Sequence, residues 1–206
     1  MQHAKKQCGV NARSRAGRRW IGGGAYFGSF VHELLSRVEW PHPQGLEIMA
    51  LTLGRKYGLK DEEAKRGAEA AKWGLSSDIL KRAARSERVW RELPFVYNHR
   101  GALIEGFVDL AFEENGEIIV VDFKTDRVEG TELEERARHY APQGIVYAMA
   151  LEGITGKKVK EVVFLFVSAR LEKSIPLGKS ARQRVERLLK GPASARNESK
   201  RAPGRA

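Results

Sequence analysis

The chain has 206 residues, 42% of them hydrophobic and 31% charged, with a formal net charge of +11 and one cysteine. That length and balance suit one globular domain able to bury a real core and exclude a disordered chain. A single cysteine, Cys8, excludes an internal disulfide and a four-cysteine zinc or iron–sulfur site within this chain.

The charge is unevenly placed. Residues 1–20 hold six Lys/Arg and no acid, and residues 192–206 hold four against one Glu, leaving 27 basic and 25 acidic residues in the body. We therefore divide the chain into a basic flexible lead-in or linker remnant (1–20), a domain (21–191) and a basic disordered tail (192–206). Net charge alone does not assign a nucleic-acid partner here. No run reaches 18 apolar residues and the start lacks a signal-peptide core, so no membrane partner and a cytoplasmic location are expected.

In chain order, Gly22-Gly23-Gly24 is a flexible lead-in, and Phe27 to Val38 is a helix. Phe27, Phe30, Val31, Leu34, Leu35 and Val38 line one of its faces. Asp61-Glu62-Glu63 opens a second helix ending near Gly74, and Ser77 caps a third reaching about Trp90. The period then shortens. Glu92 to Asn98 is a strand, Asn98 to Gly101 a turn, Leu103 to Glu113 a strand, Asn115-Gly116 a type I′ turn, and Glu117 to Thr125 a third strand. A helix from Glu132 to Leu151, a strand from Val159 to Ala169 and a helix from Ser180 to Lys190 follow. The fold class is α/β (α+β): a mixed central sheet with an antiparallel meander, flanked by helices.

Closing the hairpin on Asn115-Gly116 sets Glu114 opposite Glu117. Strict alternation then puts Val108, Leu110, Phe112, Ile119, Val121 and Phe123 on one face, and Phe107, Asp109, Ala111, Val120, Asp122 and Lys124 on the other. Asp109 thus faces Asp122, with Cβ atoms roughly 4.5–5.5 Å apart. Aspartate is disfavoured in strands, and two opposed carboxylates repel unless a proton or cation lies between them. With an ammonium beside them, they suit a divalent metal and a phosphate; the bland reading is a solvated sheet face.

Gly106-Phe107-Val108-Asp109 followed by Val121-Asp122-Phe123-Lys124-Thr125 resembles the PD-(D/E)XK nuclease signature. The similarity is greatest to RecB-like nuclease domains, above all the C-terminal domain of AddA-type helicase–nucleases. Gly28-Ser29-Phe30-Val31-His32, Glu92-Leu93-Pro94-Phe95 and Tyr140-Ala141-Pro142-Gln143-Gly144-Ile145-Val146-Tyr147 resemble further motifs of that family, in its order. The resemblance implies a restriction-endonuclease-like core and a Mg²⁺- or Mn²⁺-dependent deoxyribonuclease, exonuclease rather than endonuclease, serving DNA repair or recombination. It implies Asp109, Asp122 and Lys124 as catalytic residues and His32, Asp109, Asp122 and the Phe123 carbonyl as metal ligands. Gln143 and Tyr147 would position DNA, and Glu92 and Tyr140 would support the site from behind.

Implied partners are DNA and a helicase subunit or a separately encoded helicase chain. No iron–sulfur cluster is expected, because the cysteines that hold one in some relatives are missing. Gly144 stands where the family carries an apolar residue and weakens its helix by up to ~1 kcal/mol. The helicase motor of the AddA-type proteins is not among these residues; a nuclease enzyme is expected, with the detached C-terminal nuclease piece of a helicase–nuclease as an alternative. A nuclease-like module that binds DNA or protein without catalysis is the alternative from another class; the full set of ligands and the lysine argues against it.

Overall fold

In a computed structural model the described residues are 23–130 and 132–190. The lead-in and tail assigned to 1–20 and 192–206 lie outside them. The elements are α1 (Gly23–Arg37), α2 (Leu46–Lys56), α3 (Asp61–Ser76), α4 (Asp78–Ala84), β1 (Val89–His99), β2 (Ala102–Glu114), β3 (Glu117–Lys124), α5 (Glu132–Thr155), β4 (Val159–Phe166), β5 (Leu171–Ile175) and α6 (Lys179–Lys190).

Local chemistry explains most boundaries. Asn115 and Gly116 take φ of 53° and 79°, and the β2–β3 ladder runs from Glu114↔Glu117 to Leu110↔Val121, the register that the turn dictates. Ser77 caps α4 by accepting a hydrogen bond from the Leu80 amide. That helix ends at Ala84 rather than Trp90, because Trp90 pairs with Ala111 in the sheet. Gly23 and Gly24 open α1 instead of preceding it, while Gly22 lies outside the described residues. Two elements were not foreseen. α2 follows a proline-rich turn, and the single strand expected over Val159–Ala169 stops at Phe166, turns through Arg170 (φ 59°) and returns as β5.

The sheet order is β1-β2-β3-β4-β5, antiparallel throughout except for the parallel pair β3–β4. A parallel pair needs a long crossover, which α5 supplies. β3 and β4 are covered on both sides and are correspondingly apolar along their length. On one side Phe30, Leu34 and Leu35 of α1 pack with Leu110, Phe112, Val121 and Leu165. On the other, Val146 and Ala150 of α5 pack with Val120, Val162, Phe164 and Phe166. Gly67 in α3 permits this closeness, since a Cβ there would lie 2.2 Å from Phe30 Cε1. The C-terminal end of β3 is thereby enclosed between α1 and α5. No described helix is long and apolar enough to cross a membrane.

Candidate active site

β1 and β2 keep one register from Val89↔Phe112 to His99↔Ala102, yet the ladder skips the position at which Glu92 and Asp109 would face each other. Glu92 has φ 49°, a left-handed conformation that costs a non-glycine residue about 1–2 kcal/mol. Before this point Val89, Leu110 and Phe112 pack on the α1 side; beyond it Leu93, Phe95 and Val108 pack on the α5 side. One extra residue on each strand shifts both strands by one position, so they change faces together and the register survives. Two expectations are corrected. Val108 does not share a face with Leu110 and Phe112, and Asp109 leaves the face of Ala111 and Lys124 to meet His32.

The apolar stripe of α1 is buried, which places His32 at its flank against the sheet. His32 Nδ1 and Asp109 Oδ1 share a hydrogen bond of 2.9 Å. The β2–β3 ladder has ended at Leu110↔Val121, and Asp109 Oδ2 accepts the Phe123 amide at 2.8 Å beyond that end. The Phe123 ring lies edge-on to His32 at 5.9 Å. Ligand atoms of His32, Glu92 and Asp109 fall within 4.8 Å of one another. Glu92, expected behind the site, thus stands among the potential ligands.

Asp122 is 2% exposed. Its Oδ2 forms an ion pair with Lys124 Nζ and, among the described residues, takes part in no hydrogen bond of regular geometry. Burial and then the Asp109 charge push the Asp122 carboxyl up to about 6, against the pull of Lys124 and His32. Burial also acts to raise Asp109, but His32, the Phe123 amide and Lys124 outweigh it and hold that carboxyl below its ordinary value. One carboxylate is satisfied and the other is short of positive charge. A buried oxygen without a regular hydrogen bond, hard O and N ligands and a surplus of negative charge fit a divalent cation.

Lys124 is held from the α5 side. Its ammonium donates to Gln143 Oε1 at 3.0 Å and lies 4.0 Å from the Tyr140 ring centroid and 5.5 Å from that of Phe164. Gln143 Nε2 donates to the Tyr147 hydroxyl at 2.6 Å, and Tyr147 meets Phe95 edge-on. The Tyr140 hydroxyl donates to both Asp126 oxygens at 3.0 and 3.1 Å; burial and that carboxylate push the phenol up to about 12. Helical spacing brings residues 140, 143 and 147 to one face of α5. Gly144 faces the sheet, where a Cβ would lie 2.8 Å from Ile175 Cδ1. The glycine that departs from the family pattern therefore serves helix–sheet approach.

Sequence reasoning missed three contributors. Asp126 anchors Tyr140, Phe164 lies under Lys124, and Arg91 donates to the Ser36 and Val38 carbonyls at the end of α1 (3.4 and 2.7 Å), tying α1 to β1. Asp126 was in view, two residues beyond Lys124; the others become neighbours only through the fold.

A match to the PD-(D/E)XK nuclease superfamily extends over residues 17–202. The chain belongs to that superfamily. The five-stranded mixed sheet with helices on both faces accords with its restriction-endonuclease-like fold. Among curated proteins, this PD-(D/E)XK domain is 33% identical over 171 residues to the A subunit of the ATP-dependent helicase/nuclease of Carboxydothermus hydrogenoformans, covering 74% of this chain and 14% of that protein. It is 37% identical over 104 residues to the corresponding helicase/nuclease protein of a Thermoanaerobacter species (47% of this chain, 8% of that protein). It is 36% identical over 108 residues to that of Clostridium acetobutylicum (45% and 9%). The chain thus spans only a small part of the relatives it matches, which are of the AddA type.

Proposed function

We propose that this PD-(D/E)XK domain is a Mg²⁺- or Mn²⁺-dependent deoxyribonuclease, with His32, Asp109 and Asp122 as metal ligands and Lys124 as the catalytic cation. The observation that carries the proposal is the buried Asp122 carboxylate, ion-paired with Lys124 yet without a regular hydrogen bond at Oδ2 among the described residues, within electrostatic reach of Asp109 and His32 of the His32–Glu92–Asp109 cluster. Glu92 and the Phe123 carbonyl are further candidate ligands. A bound divalent ion supplies Lewis-acid stabilisation of phosphate charge and a more acidic water.

The chain's own groups do the rest. The Phe123 amide and the burial of Asp109 fix one carboxylate, and Arg91 fixes the helix that carries His32. Lys124, clamped by Gln143 and by the Tyr140 and Phe164 rings, presents a preoriented ammonium to the negative charge that grows on phosphate oxygens. Tyr147 is only 7% exposed, so its part in positioning DNA runs through Gln143 and Lys124.

Resemblance to helicase/nuclease proteins supports action on DNA ends ahead of internal sites, a role in repair or recombination, and a helicase as partner, in the same polypeptide or another. The test is a gel assay of the purified chain on linear and circular, single- and double-stranded DNA. Cleavage in Mg²⁺ or Mn²⁺, abolished by EDTA and confined to linear forms, is expected. Binding without cleavage in either metal would identify a non-catalytic module instead.

A further inference from the structure

Beyond Glu92 and Asp109 the β1–β2 ribbon extends outward with one face covered and, among the described residues, the other bare. The covered side packs on α5, with Leu93, Phe95, Tyr97 and Val108. Its fit is close: a Cβ at Gly153 would lie 2.4 Å from Tyr97 Cε2. The bare side carries Pro94 opposite Phe107, Val96 opposite Glu105, and Asn98 opposite Leu103. Phe107, Val96 and Leu103 are 39%, 62% and 68% exposed. Glu92 and Asp109 meet His32 of α1 on the side away from α5, the side of this ledge, so the ledge begins at the candidate metal cluster. Phe107 stands two residues from Asp109, about 7 Å along the strand, and Leu103 about 20 Å away.

Three features select the occupant. The ledge is continuous with the carboxylates that would hold the metal. An aromatic ring and a proline form its first cross-strand pair. Among the described residues neither lysine nor arginine projects from it, and Glu105 sits at its middle, so its own side chains repel phosphates while offering flat apolar surface. Nucleic-acid bases have apolar π-faces that stack on such side chains, and in a duplex those faces are already stacked on each other.

We propose that Phe107 and Pro94 stack an unpaired base next to the phosphodiester held at the metal cluster, and that Val96 and Leu103 extend this support along the strand. The inference rests on the nuclease reading. It makes the ledge a specificity element: a single strand or a frayed end reaches the site, while an intact duplex cannot present a base face to Phe107. The cation cluster and Lys124 take the phosphate, and the ledge takes the base.

The test uses fluorescein-labelled single-stranded oligonucleotides carrying one abasic residue at successive positions. Affinity is measured by anisotropy in Ca²⁺, and cleavage separately in Mg²⁺. Removing one base at one position should weaken binding to the parent by roughly 5- to 100-fold, the scale of one stacked base. Phe107→Ala should show a similar loss on intact DNA and no further loss at that abasic position, and Phe107→Trp should restore both. Phe107 is exposed, so these variants leave the core intact, and a general structural defect would not be position-specific. An abasic penalty that is the same in parent and Phe107→Ala would overturn the ledge while Mg²⁺-dependent cleavage by the parent keeps the nuclease reading. A parent that neither binds nor cleaves any oligonucleotide would overturn both.

Discussion

Replacing Asp122 with asparagine should stabilise the metal-free protein, by an amount that depends on pH. The folded state holds the Asp122 carboxyl at about 6, against 3.8 in an unperturbed chain, because it is buried beside Asp109. Between those values the folded protein keeps a proton that the unfolded chain has released, so this group's contribution to stability falls as pH rises from about 4 to above 6. The full penalty at pH 8 is on the order of 3 kcal/mol. Asparagine mimics the neutral acid at nearly constant volume and cannot ionise. In EDTA, Asp122→Asn should therefore melt with the parent near pH 4 and above it at pH 8, by roughly 6–12 °C for a chain of this size. Comparing the two proteins at each pH cancels every other titrating group to first order. A melting difference that stays flat between pH 4 and 8, or that shrinks as pH rises, would refute the raised Asp122 carboxyl.

Other outcomes follow from the same geometry. Lys124→Ala should lose roughly 10²- to 10³-fold in cleavage rate, the scale of one removed transition-state donor, while Mn²⁺ titration calorimetry still finds a site. Mg²⁺ or Mn²⁺ at a hundred times its dissociation constant should stabilise the parent by about 2.7 kcal/mol in thermal melts, and the Asp109→Asn/Asp122→Asn double variant should gain nothing. Gly67→Ala should destabilise despite a helix-propensity gain of up to ~1 kcal/mol, because overpacking against the buried Phe30 ring costs roughly 1–3 kcal/mol. Denaturant midpoints would measure that balance.

Much of the fold was legible because its signals are local. Asn115-Gly116 permits a turn that few other pairs permit, and the register of β2 and β3 follows from it. The α1 stripe and the spacing of Gln143 and Tyr147 are readable from helical period alone. The paired irregularity at Glu92 and Asp109 was not. Nothing in Arg91-Glu92-Leu93 marks a left-handed residue, and the neighbour that Glu92 meets there, His32, comes from α1, far away in the sequence. Strict alternation therefore misplaced Val108 and sent Asp109 to the wrong side, although it identified both aspartates. Trp90 was drawn into a helix by the run before it, and its strand identity depends on pairing with Ala111. Gly144 read as a weakness in α5, because sequence does not display the Ile175 and Val162 side chains that crowd it. β5, at five residues, is too short to show a period of its own.

Whether Asp122 holds a cation on which phosphodiester cleavage depends is decided by single-turnover cleavage of a linear single-stranded substrate. Parent and Asp122→Asn would be compared at saturating Mg²⁺ and matched protein concentration. Rapid, EDTA-sensitive cleavage by the parent is expected, and none above background by Asp122→Asn, with DNA affinity retained. Equal rates for the two proteins would contradict it.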